Sequence, residues 1–184
     1  TIMSVAKVHY SSPPRGHRSK YAGRSLRAVP IRILTVGKSR SPGVQLTLDD
    51  YIGKLKNYCP VEDVRVKSNP RNARDITAQI EHEDIAAVSV IKSTDLVVVL
   101  DEGGIEVGSQ QMASLIAEAT ENTGILSMVF CIGGPYGHGK QLRNRADITI
   151  LLSSLVLNHE IALLVLIEQL YRAWTILKGQ NYHH

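Results

Sequence analysis

The chain has 184 residues, 43% of them hydrophobic and 21% charged, with 21 Lys and Arg against 17 Asp and Glu. That length fits one domain with a sizeable core, and the composition excludes a collagen-like, low-complexity or disulfide-stapled chain. The only cysteines, Cys59 and Cys131, lie far apart outside any metal or redox motif, and the longest apolar run, 161–167, is closed by Glu168 and is too short to span a bilayer.

The formal net charge of +4 is unevenly placed. Residues 1–30 carry Lys7, Arg15, Arg18, Lys20, Arg24 and Arg27 and no acid, and the first acid in the chain is Asp49. The remainder, 31–184, is slightly acidic, so the positive balance belongs to the leader. A basic, serine-bearing, acid-free leader is read as an organelle transit peptide, for a chloroplast or mitochondrion. A retained basic arm on a cytoplasmic protein is the alternative.

From residue 31 the pattern alternates. Residues 31–36 form a strand ending at Gly37, and 38–43 form a basic Pro/Gly loop. Residues 47–58 show Leu48, Tyr51, Ile52 and Leu55 at helical spacing, with Thr47 as the expected cap. Residues 61–66 are a strand. Residues 72–91 are a helix whose Glu81, Glu83 and Asp84 are read as a solvated face. Residues 96–100 form an apolar strand, 108–120 a helix and 126–132 an almost unbroken apolar run, the pattern of a strand buried on both faces. A short basic helix at 141–145, a strand at 148–152 and a long helix at 159–177 follow. Such alternation predicts a single α/β domain, 31–184, with a parallel sheet.

Three strand ends carry the chemistry. Leu100-Asp101-Glu102-Gly103-Gly104, Ile132-Gly133-Gly134 and the run from Leu152 to Asn158 each follow a predicted strand. Parallel strands deliver their loops to one edge, where open α/β sheets bind ligands. The central turn holds Gly133, Gly134, Pro135, Gly137 and Gly139, and glycine permits sharp turns and close backbone approach. The order from Gly134 is Gly-x-x-Gly-x-Gly, which is not the dinucleotide fingerprint, and no Walker sequence is present. The final helix is apolar nearly all round in its first turns, the mark of burial on most sides, often by a second subunit. In it Glu168 and Arg172 stand four residues apart, close enough to pair.

Taken together, Leu-Asp with glycines after an apolar strand, Ile-Gly-Gly-Pro-x-Gly, the His159-led helix running into Glu-Gln-Leu-Tyr-Arg-Ala-Trp, and the terminal Tyr-His resemble the RlmH (YbeA) family. These are SPOUT-superfamily methyltransferases acting on N3 of a pseudouridine in large-subunit ribosomal RNA. The leader resembles that of an organelle-targeted eukaryotic member, such as a plant one. The resemblance covers 31–184 and implies an α/β SPOUT fold with a C-terminal trefoil knot, S-adenosylmethionine as cofactor, ribosomal RNA or the assembled ribosome as partner, a homodimer with its site at the subunit interface, and neither metal nor membrane. It places Leu100, Gly133, Gly134, Ser153, Ser154, Leu155, Val156, Leu157 and Asn158 against the cofactor. It places His159, Glu168, Arg172, Tyr182 and His183 on the substrate side, with His183 nearest the base and Tyr182 able to stack on the uracil ring. Two departures, Leu163 and His184, stand where relatives usually carry a positive charge, and imply a less basic RNA face that Lys140, Arg143 and Arg145 could offset. Alternative readings are a SPOUT-fold RNA-binding or ribosome-assembly factor without catalysis, and a different α/β nucleotide-binding enzyme that shares only the glycine turn.

Overall fold

The computed structural model describes residues 20–21 and 23–183; the rest of the leader and His184 lie outside the described residues. Five strands, β1 (Ile31–Gly37), β2 (Val61–Lys67), β3 (Asp95–Glu106), β4 (Ser127–Ile132) and β5 (Ile148–Leu151), alternate with five helices. These are α1 (Pro42–Leu55), α2 (Ile76–Ser89), α3 (Ser109–Glu121), α4 (Lys140–Arg145) and α5 (His159–Leu177). The strands form one sheet in the order β2-β1-β4-β3-β5, and every pairing between them is parallel.

The two-residue period of a strand divides the core between the sheet's faces. Ile31, Ile33, Val98, Met128 and Phe130 pack with α1, α3 and α5, while Leu34, Val36, Val97, Val99, Val129 and Cys131 pack with α2 and α4. All six residues of β4 are buried, as its apolar run predicts. Packing begins ahead of β1: Tyr21 and Val29 join the larger cluster. Arg27 donates hydrogen bonds to the carbonyls of Ala119, Thr120, Asn122 and Ile125, closing the C-terminal end of α3, where a helix presents unpaired carbonyls.

Three expectations are corrected. Helix α1 starts at Pro42, inside the stretch read as a loop; Pro at the first helical position lacks only an N–H that would have no partner there. Thr47 therefore lies inside the helix and gives its hydroxyl hydrogen to Gly43 O at 3.0 Å. Glu83 and Asp84 are not on a solvated face but are 3% and 5% exposed. Leu163 is 2% exposed and sits in the core, so a side chain there adds nothing to an RNA-facing surface.

At the sheet edge, Ile150 of β5 pairs with both Leu100 and Ile105 of β3, the four residues between them being left out of the ladder. The crossing is tight: a Cβ on Gly104 would lie 2.5 Å from the Ile150 carbonyl carbon and 2.7 Å from its backbone nitrogen and oxygen. Backbone on both sides cannot swing away as a side chain can. Gly104→Ala should lower unfolding stability by about 2–3 kcal/mol, the usual cost of overpacking. Gly103→Ala, whose Cβ would meet only the Asp101 side chain at 3.4 Å, should stay close to wild type. Urea midpoints of the two variants provide the comparison.

Candidate functional site

Because all strands run the same way, the loops after β4 and β5 leave from one edge, beside residues 101–104, which belong to β3 and stand out of its ladder with β5 rather than following the strand as expected. They enclose a cavity of about 760 Å³. Of the nine residues expected at a cofactor, eight line it: Leu100, Gly133, Gly134, Ser153, Leu155, Val156, Leu157 and Asn158. Ser154 is exposed in the same loop and is not part of the lining. The glycine turn is wound on itself, with Gly137 N donating to Gly134 O at 3.0 Å and Gly137 at φ 79°, a conformation suited to glycine. A Cβ on Gly133 would stand 3.0 Å from the Gly137 carbonyl carbon, so any larger residue there would press on the turn's own backbone. Across the cavity, Leu155 and Val156 are 72% and 84% exposed, an unusual display of apolar surface beside backbone polar groups.

One wall was not anticipated. His138 is buried and donates from Nε2 to the Leu100 carbonyl at 3.0 Å. Arg143 donates to the His138 carbonyl at 3.1 Å and pairs with Asp101 at 2.9 Å. Burial lowers the His138 pKa, outweighing the opposing pull of the Leu100 hydrogen bond and of Asp101. Burial acts to raise Asp101, but the Gly103 N–H and the Arg143 guanidinium overcome it and hold the carboxyl below its usual range. The signal for His138 in the sequence was a histidine set between Gly137 and Gly139 in the glycine turn.

Behind the cavity stand the two buried carboxylates of α2. Asp84 accepts from the backbone N–H of Gln141 at 2.8 Å and of Leu142 at 2.9 Å, closing the N-terminus of α4. Glu83 accepts through Oε1 from Ser68 Oγ, Asn69 N and Gln79 Nε2 at 2.8–2.9 Å. Its Oε2 is buried without a hydrogen-bond partner, and a Cβ on Gly134 would lie 3.5 Å from it.

The expected substrate-side residues fall into two places. His159 opens α5 and lines the cavity. Glu168, Arg172, Tyr182 and His183 form a separate cluster near the helix's far end. Glu168 Oε1 accepts from Arg172 at 2.8 Å and from the Tyr182 hydroxyl at 2.9 Å. Arg172 also donates to the Tyr182 carbonyl at 3.3 Å, approaches His183 Nδ1 at 3.5 Å and lies 4.5 Å over the Tyr182 ring. Tyr171 meets Tyr182 edge-on with ring centres 4.8 Å apart. Burial and the hydrogen bonds with Tyr51 and Glu168 push the Tyr182 hydroxyl well above the usual tyrosine pKa, and the Glu168 hydrogen bond raises Arg172. The Cys59 and Cys131 thiols are each raised to about 12 by burial and are inert there. Among the described residues there is no group of three or more His, Cys, Asp or Glu that could hold a metal, and no helix is long and apolar enough to cross a membrane.

Comparison with known proteins bears on this site. Residues 29–183 match the model of a family described as predicted SPOUT methyltransferase. A protein of Arabidopsis thaliana, provisionally named as an RNA methyltransferase, is 59% identical over the whole of both chains. The ribosomal RNA large subunit methyltransferase H of Geotalea uraniireducens is 34% identical over 84% of this chain and 99% of its own. Among solved structures, a probable methyltransferase from Bordetella pertussis superposes with a TM-score of 0.48 at 15% identity, covering 79% of this chain and 94% of that one.

The wall makes a pH prediction. An unfolded histidine titrates near 6.5, and His138 binds its proton less readily when folded. Above about pH 6.5 both states are neutral and the shift has no effect. Below it the unfolded chain takes up a proton that the folded site resists, so stability falls as pH drops. The urea midpoint should decline less from pH 7.5 to pH 5.5 in His138→Gln than in the wild type.

Proposed function

Since the chain belongs to the SPOUT methyltransferase family, we propose that it methylates N3 of a pseudouridine in large-subunit ribosomal RNA, with S-adenosylmethionine as methyl donor. The observation that carries the reading is the cavity at the carboxyl edge of β3, β4 and β5, walled by eight of the nine residues expected to hold the donor. A tightly wound glycine turn lets the main chain face a ligand without intervening side chains. The residues present therefore fit the group. Gly133, Gly134, Leu100 and the 153–158 loop would hold it, with Leu155 and Val156 covering its apolar parts. When bound, it supplies a methyl group on a sulfonium sulfur.

The chain's own residues then have two tasks. The first is to hold N3 in line with the methyl carbon, and proximity alone accounts for a large part of such a barrier. Tyr182, fixed by Glu168 and Tyr171, presents a ring on which the uracil can stack. The second is to ease loss of the N3 proton as the carbon arrives. An Arg172 N–H faces His183 Nδ1, which leaves Nε2 as that ring's donor, able to hydrogen-bond a uracil carbonyl while the proton departs to water.

His159 lines the cavity, while Glu168 is nine positions along α5, about 14 Å at 1.5 Å per residue. We infer that a homodimer brings the tail cluster of one chain to the cavity of the other. Exposed Leu155 and Val156 at the cavity, and exposed Ile161 in the first turn of α5, support such a contact. Membership of the SPOUT methyltransferase family supports the C-terminal trefoil knot. The acid-free leader supports import into an organelle, and the N-terminal sequence of the protein recovered from cells tests it: an intact residue 1 would overturn import with cleavage.

The deciding assay is transfer of labelled methyl from S-adenosylmethionine to ribosomes of a bacterium lacking its own such enzyme, with the product mapped by mass spectrometry. Label on a large-subunit pseudouridine is the expected result. Cofactor binding with no transfer would point instead to a binding protein that kept the fold. In the same assay His183→Ala should lower methylation at least tenfold while changing cofactor affinity less than twofold. An equal fall in both would remove His183 from the substrate side.

A further inference from the structure

The cavity accounts for one half of the sheet edge. The other half is formed by the loops after β2 and β1, which leave the same edge because every strand is parallel. Lys67, the last residue of β2, and Arg71 and Arg74 of the β2–α2 loop, residues 68–75, are all exposed, and none is in an ion pair among the described residues. The acid that follows, Asp75, is engaged as the α2 cap, accepting from Ala78 N at 2.9 Å. Lys38, at the end of the neighbouring strand β1, is likewise exposed.

This loop is built rather than slack. Asn69 and Asn72 both adopt positive φ, at 45° and 52°, which asparagine tolerates better than most residues. The Asn69 side chain bonds both the N–H and the carbonyl of Ala73, at 2.7 and 2.9 Å. Ser68 and Asn69 are pinned to Glu83 Oε1, and Oε2 of the same carboxylate faces the Gly134 backbone. One buried side chain therefore ties the basic loop to α2, and its second oxygen lies beside the glycine turn of the cavity. With β2 two strands from β4 and strands about 4.8 Å apart, the loop leaves the edge about 10 Å from the glycine turn.

We propose that Lys67, Arg71 and Arg74 form a docking element for RNA backbone phosphates, positioned by Glu83 so that a strand held there leads its base into the cavity. The inference rests on the RNA methyltransferase reading above and adds to it the surface that holds the polyanion. Phosphate contacts supply register and salt-dependent affinity without reading sequence. Three cations without an ion pair among the described residues, on and beside a stiff loop about 10 Å from the glycine turn, are suited to that. Exposed Glu102 lies on the β3 side of the turn, away from this loop.

The test is methylation of the same bacterial ribosomes by full-length wild type, by the triple variant Lys67→Ala, Arg71→Ala, Arg74→Ala, and by a control with Lys56→Ala and Lys92→Ala at the opposite edge of the sheet. Rates are taken against ribosome concentration between about 50 and 200 mM KCl. The triple variant should raise the KM for ribosomes about tenfold or more. Its slope of log KM against log salt should fall by about 2–3, as losing three phosphate contacts requires. Its kcat, its melting temperature and its affinity for S-adenosylmethionine by calorimetry should stay within experimental range of wild type, as should every value for the control. A KM and a salt slope unchanged in the triple variant, while wild type methylates normally, would overturn this proposal alone. No methyl transfer by wild type would overturn the functional reading and this inference with it.

Discussion

The architecture of the site depends on two adjacent buried carboxylates. A carboxylate taken out of water is costly unless its oxygens are hydrogen-bonded. Asp84 meets that requirement at both oxygens and Glu83 at Oε1, through backbone and side-chain donors drawn from elsewhere in the chain. Successive helix residues point about 100° apart, so the pair reaches two neighbours at once. Asp84 reaches α4, and thereby sets Arg143 against Asp101 and the His138 carbonyl. Glu83 reaches the β2–α2 loop. Gly139 is bare for the same reason: a Cβ there would stand inside contact distance of the Asp84 carboxylate. Helix α2, which lines no part of the cavity, is thus what its back wall is hung from.

The order of elements was legible because burial on both faces writes itself as unbroken apolar runs, most plainly in β4, and because α5 begins and ends where its pattern does. The cavity was legible for a related reason: glycines after apolar strands have few other uses. What sequence spacing could not reveal was which polar residues turn inward. Glu81, Glu83 and Asp84 look alike in sequence, yet only Glu81 is exposed. The partners that draw the other two inside, Asn69 and Leu142 among them, are distant in the chain. His138 was hidden in the same way, since its partner is a backbone carbonyl on another strand. Thr47 was mistaken for a cap because Pro42 had already opened the helix one turn earlier.

Helix α5 has two ends with different work. Its N-terminus, capped by Asn158 accepting from Glu160 N at 2.9 Å, adjoins the cavity. Its far end gathers Glu168, Arg172, Tyr182 and His183 because the chain folds back after Leu177 and Arg172 catches the tail by its Tyr182 carbonyl. The pairing of Glu168 with Arg172 follows from helical spacing. The recruitment of Tyr182 and His183 does not, and it is the part of the site that a motif alone names without placing. Between the ends, Leu163, Leu166, Ile167 and Leu170 are buried against α1 and α3, so the helix is a fixed spacer.

A slightly acidic domain that handles RNA has to solve a problem of placement rather than of total charge. Long-range net charge steers encounters, but salt screens it within about 10 Å, and what remains is the local arrangement. Here much of the negative charge is committed. Asp63 is tied to Arg40, Asp95 to Arg32, Asp101 to Arg143 and Asp147 to Arg145, while Asp75 caps a helix and Glu83 and Asp84 are buried. Several of these acids sit on or behind the loops of the carboxyl edge, where a free carboxylate would repel phosphate. Consuming them internally leaves Lys38, Lys67, Arg71, Arg74 and Lys140 exposed on an edge whose net balance the whole-chain charge does not describe. An ion pair spends one cation with each acid, so these contacts set where the charges of the edge stand rather than their sum. Under the docking proposal, stability and substrate recognition at the edge draw on one set of interactions.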